Sequence, residues 1–216
     1  MFKNIEPMFD DTNISDNPLT VLPPVRPTRR LYTLAEYLRK EERSEELHEY
    51  KNGIIIKLPM ARGPHNEITM NTATALNIVF KSSSKKYRVF GGQQLIYMPK
   101  LNISRYPDIL VICENPQYFD DNEVLLMNPL LVVEVLSKST RSYDRTGKFD
   151  EYKTLASFKE YVIIDQNKPY IETRFQEKPN VWAFEEHTDM ADSITLKSVN
   201  CTISLTDIYN NIVFKV

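Results

Sequence analysis

Two short apolar segments, each carrying an acidic residue, constrain the fold more than any other feature of the sequence. They read Tyr106-Pro107-Asp108-Ile109-Leu110-Val111-Ile112 and Pro129-Leu130-Leu131-Val132-Val133-Glu134-Val135-Leu136-Ser137. Both are rich in β-branched residues, as buried strands are. A lone ionised carboxylate is costly to desolvate, so each acid must be paired, protonated or bound to a metal.

If the two strands are neighbours, Asp108 and Glu134 can be directed at one cation. Asp108 has an alternative interpretation as an exposed acid at the start of a strand. Glu134 has an alternative as a structural ion pair with Arg141 or Arg145. Oxygen ligands of this kind favour Mg²⁺ or Mn²⁺ over zinc, and the backbone carbonyl of Val135 is a further candidate ligand.

Length and composition favour one folded domain. A chain of 216 residues with 42% hydrophobic residues can bury one sizeable core. Residues 1–30 are expected to form an extended arm, because prolines prevent a continuous helix or central strand there. These prolines are Pro7, Pro18, Pro23, Pro24 and Pro27. The domain is therefore predicted over residues 31–216.

Charge and targeting signals narrow the functional classes. The 27 basic and 29 acidic residues nearly cancel, so contact with nucleic acid would need a local basic surface. Cys113 and Cys201 lack metal-ligand spacing and are interpreted as packing residues. The start of the chain lacks a signal peptide and no run is long enough for a membrane span, so we expect a cytoplasmic protein without membrane contact.

Local patterns predict an α/β fold with a mixed sheet flanked by helices. Thr33 and Glu36 form a capping-box pattern for a helix that runs to about Arg43. Asn52-Gly53 predicts a hairpin turn, and a second helix is expected to open at His65. Further strands are predicted over 88–90, 94–98, 107–113, 130–136 and 161–165, a helix over 144–156, and an edge hairpin over 170–175 and 181–184.

The order of several motifs resembles the Uma family of restriction-endonuclease-like proteins, which is assigned to the PD-(D/E)XK nuclease superfamily. The matching segments are Tyr32–Tyr37, Glu49–Ile55, His65–Ile68, Tyr106–Asp108, Asn128–Ser137, Tyr143–Tyr152 and Glu160–Asp165. The resemblance covers roughly residues 31–190. It implies a restriction-endonuclease-like fold and hydrolysis of phosphodiester bonds in DNA by a metal-dependent endonuclease.

The resemblance also implies a site with Asp108 and Glu134 as metal ligands. The usual Glu-x-Lys tripeptide is absent, because Leu136 stands two residues after Glu134. By similarity to the family, Lys148 is the preferred source of the missing ammonium, with Lys138 as a second candidate. The alternative is that Lys148 is an ordinary solvated lysine on the helix.

Two further residues are candidates for catalysis. Glu49 can add a third acid to the metal cluster, or be an ordinary exposed hairpin residue. His65 can contact a phosphate or transfer a proton, or simply cap a helix N-terminus.

The sequence is compatible with two functional classes. The first is the endonuclease, which is expected to act as a homodimer because many nucleases of this superfamily do. The second is a catalytically degenerate nuclease fold that serves as a binding or assembly module, in which the acids form structural ion pairs.

Overall fold

The computed structural model describes residues 30–119, 123–137 and 141–214. Leu31–Val216 form one compact unit. The arm predicted over residues 1–30 lies outside the described residues, apart from Arg30.

The helices lie at intervals between the strands. They are α1 (Leu34–Glu41), α2 (Gly63–Phe80), α3 (Arg141–Tyr143), α4 (Phe149–Tyr152) and α5 (Leu205–Ile208). Asp144–Lys148 winds as a π-helix between α3 and α4, so residues 141–152 form one continuous helical segment. We call this stretch the 141–152 helix.

The strands form two large sheets and one small one. They are β1 (His48–Lys51), β2 (Ile54–Lys57), β3 (Tyr87–Gly91), β4 (Leu95–Met98), β5 (Ile103–Arg105), β6 (Ile109–Cys113), β7 (Leu125–Leu126), β8 (Leu131–Leu136), β9 (Glu160–Asp165), β10 (Ile171–Lys178), β11 (Val181–His187), β12 (Ser193–Leu196) and β13 (Cys201–Ser204). One sheet has the order β2-β1-β5-β4-β7, another β11-β10-β9-β8-β6-β3, and β12 pairs with β13.

The local sequence signals are confirmed where they are strongest. Thr33 and Glu36 form a complete capping box at the start of α1. Asn52 and Gly53 both have positive φ angles, 48° and 88°, as a type I′ hairpin turn requires. The mixed α/β class is also confirmed, since β8 runs parallel to β9 and antiparallel to β6.

The arrangement of the strands differs from the prediction of one mixed sheet. The strands divide between two large sheets because the chain leaves β5 at Arg105 and enters β6 at Ile109, which belong to different sheets. Strands β5, β7, β12 and β13 were not predicted, since each has only two to four residues and carries little periodicity. The helix predicted over 144–156 begins earlier, at Arg141, and ends at Tyr152.

The central strands β6, β8 and β9 of the six-stranded sheet are buried on both faces. On one face, odd-numbered residues of β6 and β8, such as Val111 and Val133, pack with Ile68 and Leu76 of α2. On the other face, even-numbered residues such as Leu110 and Val132 pack beneath the 141–152 helix. Side chains of adjacent residues point to opposite faces of a strand, so Asp108 and Glu134 belong to the face that this helix covers.

None of the helices in the part of the chain that the structure describes has the length and apolar character needed to cross a membrane.

Gly53 gives a direct test of the hairpin. We expect Gly53→Ala to lower the free energy of unfolding by about 1 kcal/mol or more, because the residue has a positive φ angle. The added Cβ would also lie 3.0 Å from the Cβ of Leu31. Urea unfolding measures the change. Gly63→Ala is the matched control, because its Cβ would meet nothing within 4 Å, and an equal effect in both variants would contradict this account.

Candidate active site

Strand pairing brings Asp108 and Glu134 together. Ile109 lies opposite Val133 in the antiparallel pair of β6 and β8. Extending this register by one residue sets Asp108 opposite Glu134. Because directly opposed side chains on one face are neighbours, the two carboxylates share one end of the sheet face beneath the 141–152 helix.

Asp108 is held from two sides. Its Oδ2 accepts a hydrogen bond of 2.6 Å from the backbone N–H of Val135. Its Oδ1 lies 3.3 Å from Nε2 of His65, which comes from the first turn of α2. Burial lowers the pKa of His65, but Asp108 and the carbonyl of Val135 favour the protonated ring, so the pKa is raised overall.

Glu134 is buried, with 2% of its surface exposed. Its Oε2 accepts from Nζ of Lys148 at 2.9 Å, and its Oε1 accepts from the hydroxyl of Tyr152 at 3.0 Å. Burial raises the pKa of Glu134 well above its ordinary value, and the Lys148 ammonium opposes this shift without cancelling it. The carboxylate therefore depends on the cation beside it.

Lys148 connects the 141–152 helix to the sheet. It is 7% exposed, and Nζ also lies 3.0 Å from Oδ1 of Asp144. Burial lowers the pKa of Lys148, but the surrounding carboxylates outweigh burial and raise it above its ordinary value. Those carboxylates belong to Glu134, Glu49, Asp144 and Asp108.

Arg105 organises a second group of charges from the five-stranded sheet. It is 2% exposed, and its Nη1 donates to Oε2 of Glu49 at 2.6 Å. Its Nε donates to Oε2 of Glu151 at 2.8 Å. The hydroxyl of Tyr143 and the ammonium of Lys51 complete this network around Glu151. Glu49 keeps one buried oxygen, Oε1, that has no hydrogen-bond partner among the described residues.

The acids at the site outnumber the permanent cations. Four carboxylates act on Lys148, whereas the permanent cations that pair with these acids among the described residues are Lys148 and Arg105, and Arg105 is shared with Glu151. His65 adds charge only when it is protonated. Such a surplus of buried acids favours the uptake of a proton, in line with the raised pKa of Glu134, or of another cation.

The structure decides between the interpretations left open for several residues. Glu134 pairs with Lys148, whereas Arg141 pairs with Asp165 and Arg145 with Glu172, so the proposed arginine pairs for Glu134 are wrong. A solvated Lys148 is also wrong. Glu49 is 4% exposed, which rules out an exposed hairpin acid.

His65 is not a capping residue, because α2 begins at Gly63 and Arg62 holds the N-cap position. Arg105 is expected from the sequence to lie in a loop and contact the DNA strand. It is instead buried and paired with Glu49, so it is not positioned as a surface contact to DNA. Lys138, the second candidate for the ammonium, lies outside the described residues. The catalytic and metal-binding roles of Asp108, Glu134, Lys148, Glu49, His65 and Val135 remain predictions.

Four residues of the site were not predicted to belong to it from the sequence, although two of them carried a usable signal. They are Asp144, Tyr152, Arg105 and Glu151. Asp144, Lys148 and Tyr152 recur every four residues, which sets them along one side of a helix. An acid, a lysine and a tyrosine on a buried helix face indicate a polar network. The roles of Arg105 and Glu151 had no such local signal, because their pairing depends on the packing of separate elements.

The residues present could hold a metal ion, but with few ligands from side chains. Within residues 30–119, 123–137 and 141–214, no group of three or more histidine, cysteine or acidic side chains is arranged to hold a metal ion. Asp108 and Glu134 could hold a hard divalent cation only with help from waters or backbone carbonyls, as Mg²⁺ commonly accepts. The surplus negative charge supports that fit, although Lys148 already contacts Glu134.

The fold is similar to that of a solved structure. A solved structure described as a putative nuclease belonging to DUF820, from Anabaena variabilis, superposes with a TM-score of 0.68. It is 21% identical in sequence, and the match covers 84% of this chain and 99% of that one. At this identity the likeness shows the shared fold alone.

The chain belongs to the Uma2 family, described as "Putative restriction endonuclease", whose model matches residues 34–206. Two relatives come from Synechocystis sp. The protein named "Uncharacterized protein sll1609" is 34% identical over 139 residues, which cover 64% of this chain and 77% of the relative. The protein named "Uncharacterized protein slr1290" is 28% identical over 181 residues, which cover 83% and 92% respectively.

The ion pair between Lys148 and Glu134 predicts a coupled loss of stability. We expect Lys148→Met to lower the free energy of unfolding by about 3–5 kcal/mol, because two buried acids lose their ammonium. Adding Glu134→Gln should restore at least about 1 kcal/mol, since the uncompensated charge is then removed. Urea unfolding of both single variants and the double variant measures the coupling.

Lys153→Met is the control for that cycle, since Lys153 pairs with the exposed Asp150. Its cost should stay within about 1 kcal/mol. Equal costs for Lys148→Met and Lys153→Met would show that the buried pair does not stabilise the fold.

Proposed function

We propose that this protein is a metal-dependent endonuclease that hydrolyses phosphodiester bonds in DNA. The observation that carries the proposal is the convergence of Asp108, Glu134 and Lys148 at one end of a sheet face. Membership of a family described as "Putative restriction endonuclease" supports the same conclusion.

Each residue has a role that follows from its position. Asp108 and Glu134, with the carbonyl of Val135, would hold Mg²⁺ or Mn²⁺. Such an ion would lower the pKa of a bound water and neutralise charge on the phosphate. Lys148 supplies a fixed positive charge beside Glu134, suited to a phosphate oxygen in the transition state.

His65 and Glu49 flank these residues. The ring of His65 lies against Asp108 and is suited to transfer a proton during hydrolysis of the phosphodiester. Glu49 adds negative charge near Lys148 and is oriented by Arg105. Arg105 is therefore a positioning residue in this proposal.

A second function is favoured by one specific observation. All four carboxylate oxygens of Asp108 and Glu134 already contact protein groups, namely Val135, His65, Lys148 and Tyr152. Acids paired in this way could be purely structural. The chain would then be a binding or assembly module built on a nuclease fold.

Cleavage of plasmid DNA separates the two functions. We expect the purified protein to cut DNA with Mg²⁺ or Mn²⁺ and to stop when EDTA is added. Asp108→Asn and Glu134→Gln should each reduce the rate by about 100-fold or more, because metal catalysis contributes several kcal/mol. Gel analysis of time courses measures the rate, and circular dichroism checks the fold.

Asp150→Asn serves as the control, because Asp150 is an exposed acid on α4 that pairs with Lys153. It should cut like the wild type. If folded wild-type protein cuts neither plasmid nor single-stranded DNA with either metal, the nuclease proposal fails and the binding module stands. Full activity in both acid variants would equally overturn the roles given to Asp108 and Glu134.

A further inference from the structure

A cavity of about 630 Å³ lies between the β1–β2 hairpin and the 141–152 helix. We call it the hairpin pocket. It is lined by Glu49, Lys51, Ile56, Lys57, Leu58, Pro59, Arg105, Tyr143 and Lys148. Its volume lies in the range of roughly 300–1,000 Å³ that is typical of pockets for small molecules.

The walls and the rim of the hairpin pocket differ in character. Ile56, Leu58, Pro59 and the ring of Tyr143 give it an apolar side. Lys51 and Lys57 add positive charge. Lys57 pairs with Glu46 in an exposed ion pair, which is weak enough to exchange for another anion. An apolar wall beside two cations suits a planar group attached to a phosphate.

The pocket also contains an unsatisfied acceptor. Glu49 is directed by Arg105, which occupies Oε2, while the buried Oε1 has no hydrogen-bond partner among the described residues. A carboxylate can only accept hydrogen bonds, so a hydrogen-bonding partner for this oxygen has to be a donor. The Watson–Crick edges of nucleobases carry such N–H groups.

The pocket is continuous with the proposed catalytic residues. Lys148 lines it and also contacts Glu134 at 2.9 Å. A group bound in the pocket would therefore lie next to the phosphate that the proposed function requires. Within a duplex the base is stacked and its Watson–Crick edge is paired, so only an unpaired or flipped nucleotide could enter.

We propose that the hairpin pocket receives one unpaired nucleotide of the DNA strand, with its base against the apolar wall and an N–H group directed at Oε1 of Glu49. The inference rests on the proposed function for the identity of the ligand as DNA. It adds a substrate class: single-stranded DNA, or duplex DNA in which a nucleotide can leave the stack.

Binding without cleavage tests the pocket. Fluorescence anisotropy in EDTA compares a labelled single-stranded oligonucleotide with a hairpin duplex. The full-length wild type should bind the single strand more tightly. Ile56→Trp, which fills the pocket from an edge strand, should weaken single-strand binding by about tenfold, the value of one stacked base. Ile78→Trp, on the exposed side of α2, is the control and should bind like the wild type.

Photocrosslinking gives a second measurement that needs no variant. A single strand that contains 5-iodouracil is irradiated with the wild-type protein, and the modified peptide is identified by mass spectrometry. We expect attachment at Tyr143 or within residues 56–59. Attachment elsewhere, unchanged single-strand binding by folded Ile56→Trp, or tighter binding of the duplex by the wild type would each overturn the proposal. Because no metal is present, these outcomes are independent of whether the protein cuts DNA.

Discussion

The buried carboxylate of Glu134 requires hydrogen-bonding and charged partners from the surrounding structure. It lies within an apolar strand beneath a helix, where an unpaired charge is costly. Lys148 and Tyr152 supply the partners, and both come from the 141–152 helix. The same contacts therefore fix this helix on the sheet and determine which charges face the site. Stability and the proposed chemistry depend on one set of groups.

The site combines residues from both large sheets and from the 141–152 helix. The six-stranded sheet contributes Asp108 and Glu134, and the five-stranded sheet contributes Glu49 and Arg105. The short segment Tyr106–Asp108 connects the two sheets. The same segment contains Asp108, the first acid of the site. The result is a charged cluster in which, among the described residues, acids exceed permanent cations.

Sequence patterns predicted the features that depend on nearby residues. The capping box at Thr33 and the turn at Asn52-Gly53 are encoded within four residues, and the apolar runs that carry the two acids were predicted as strands β6 and β8. The division into two sheets was not predictable, because strands of two to four residues are defined by their partners. Arg105 was misinterpreted for the same reason: only the packing of β5 against the 141–152 helix shows that it is buried between Glu49 and Glu151.

The central question is whether Asp108 and Glu134 bind one divalent cation despite their contacts with protein groups. The most direct measurement is a crystal structure of the wild type in Mn²⁺, with anomalous scattering recorded to locate the metal. The account predicts one strong peak bonded to carboxylate oxygens of both residues. A map with no peak at the pair, or with a peak that contacts neither residue, would contradict it.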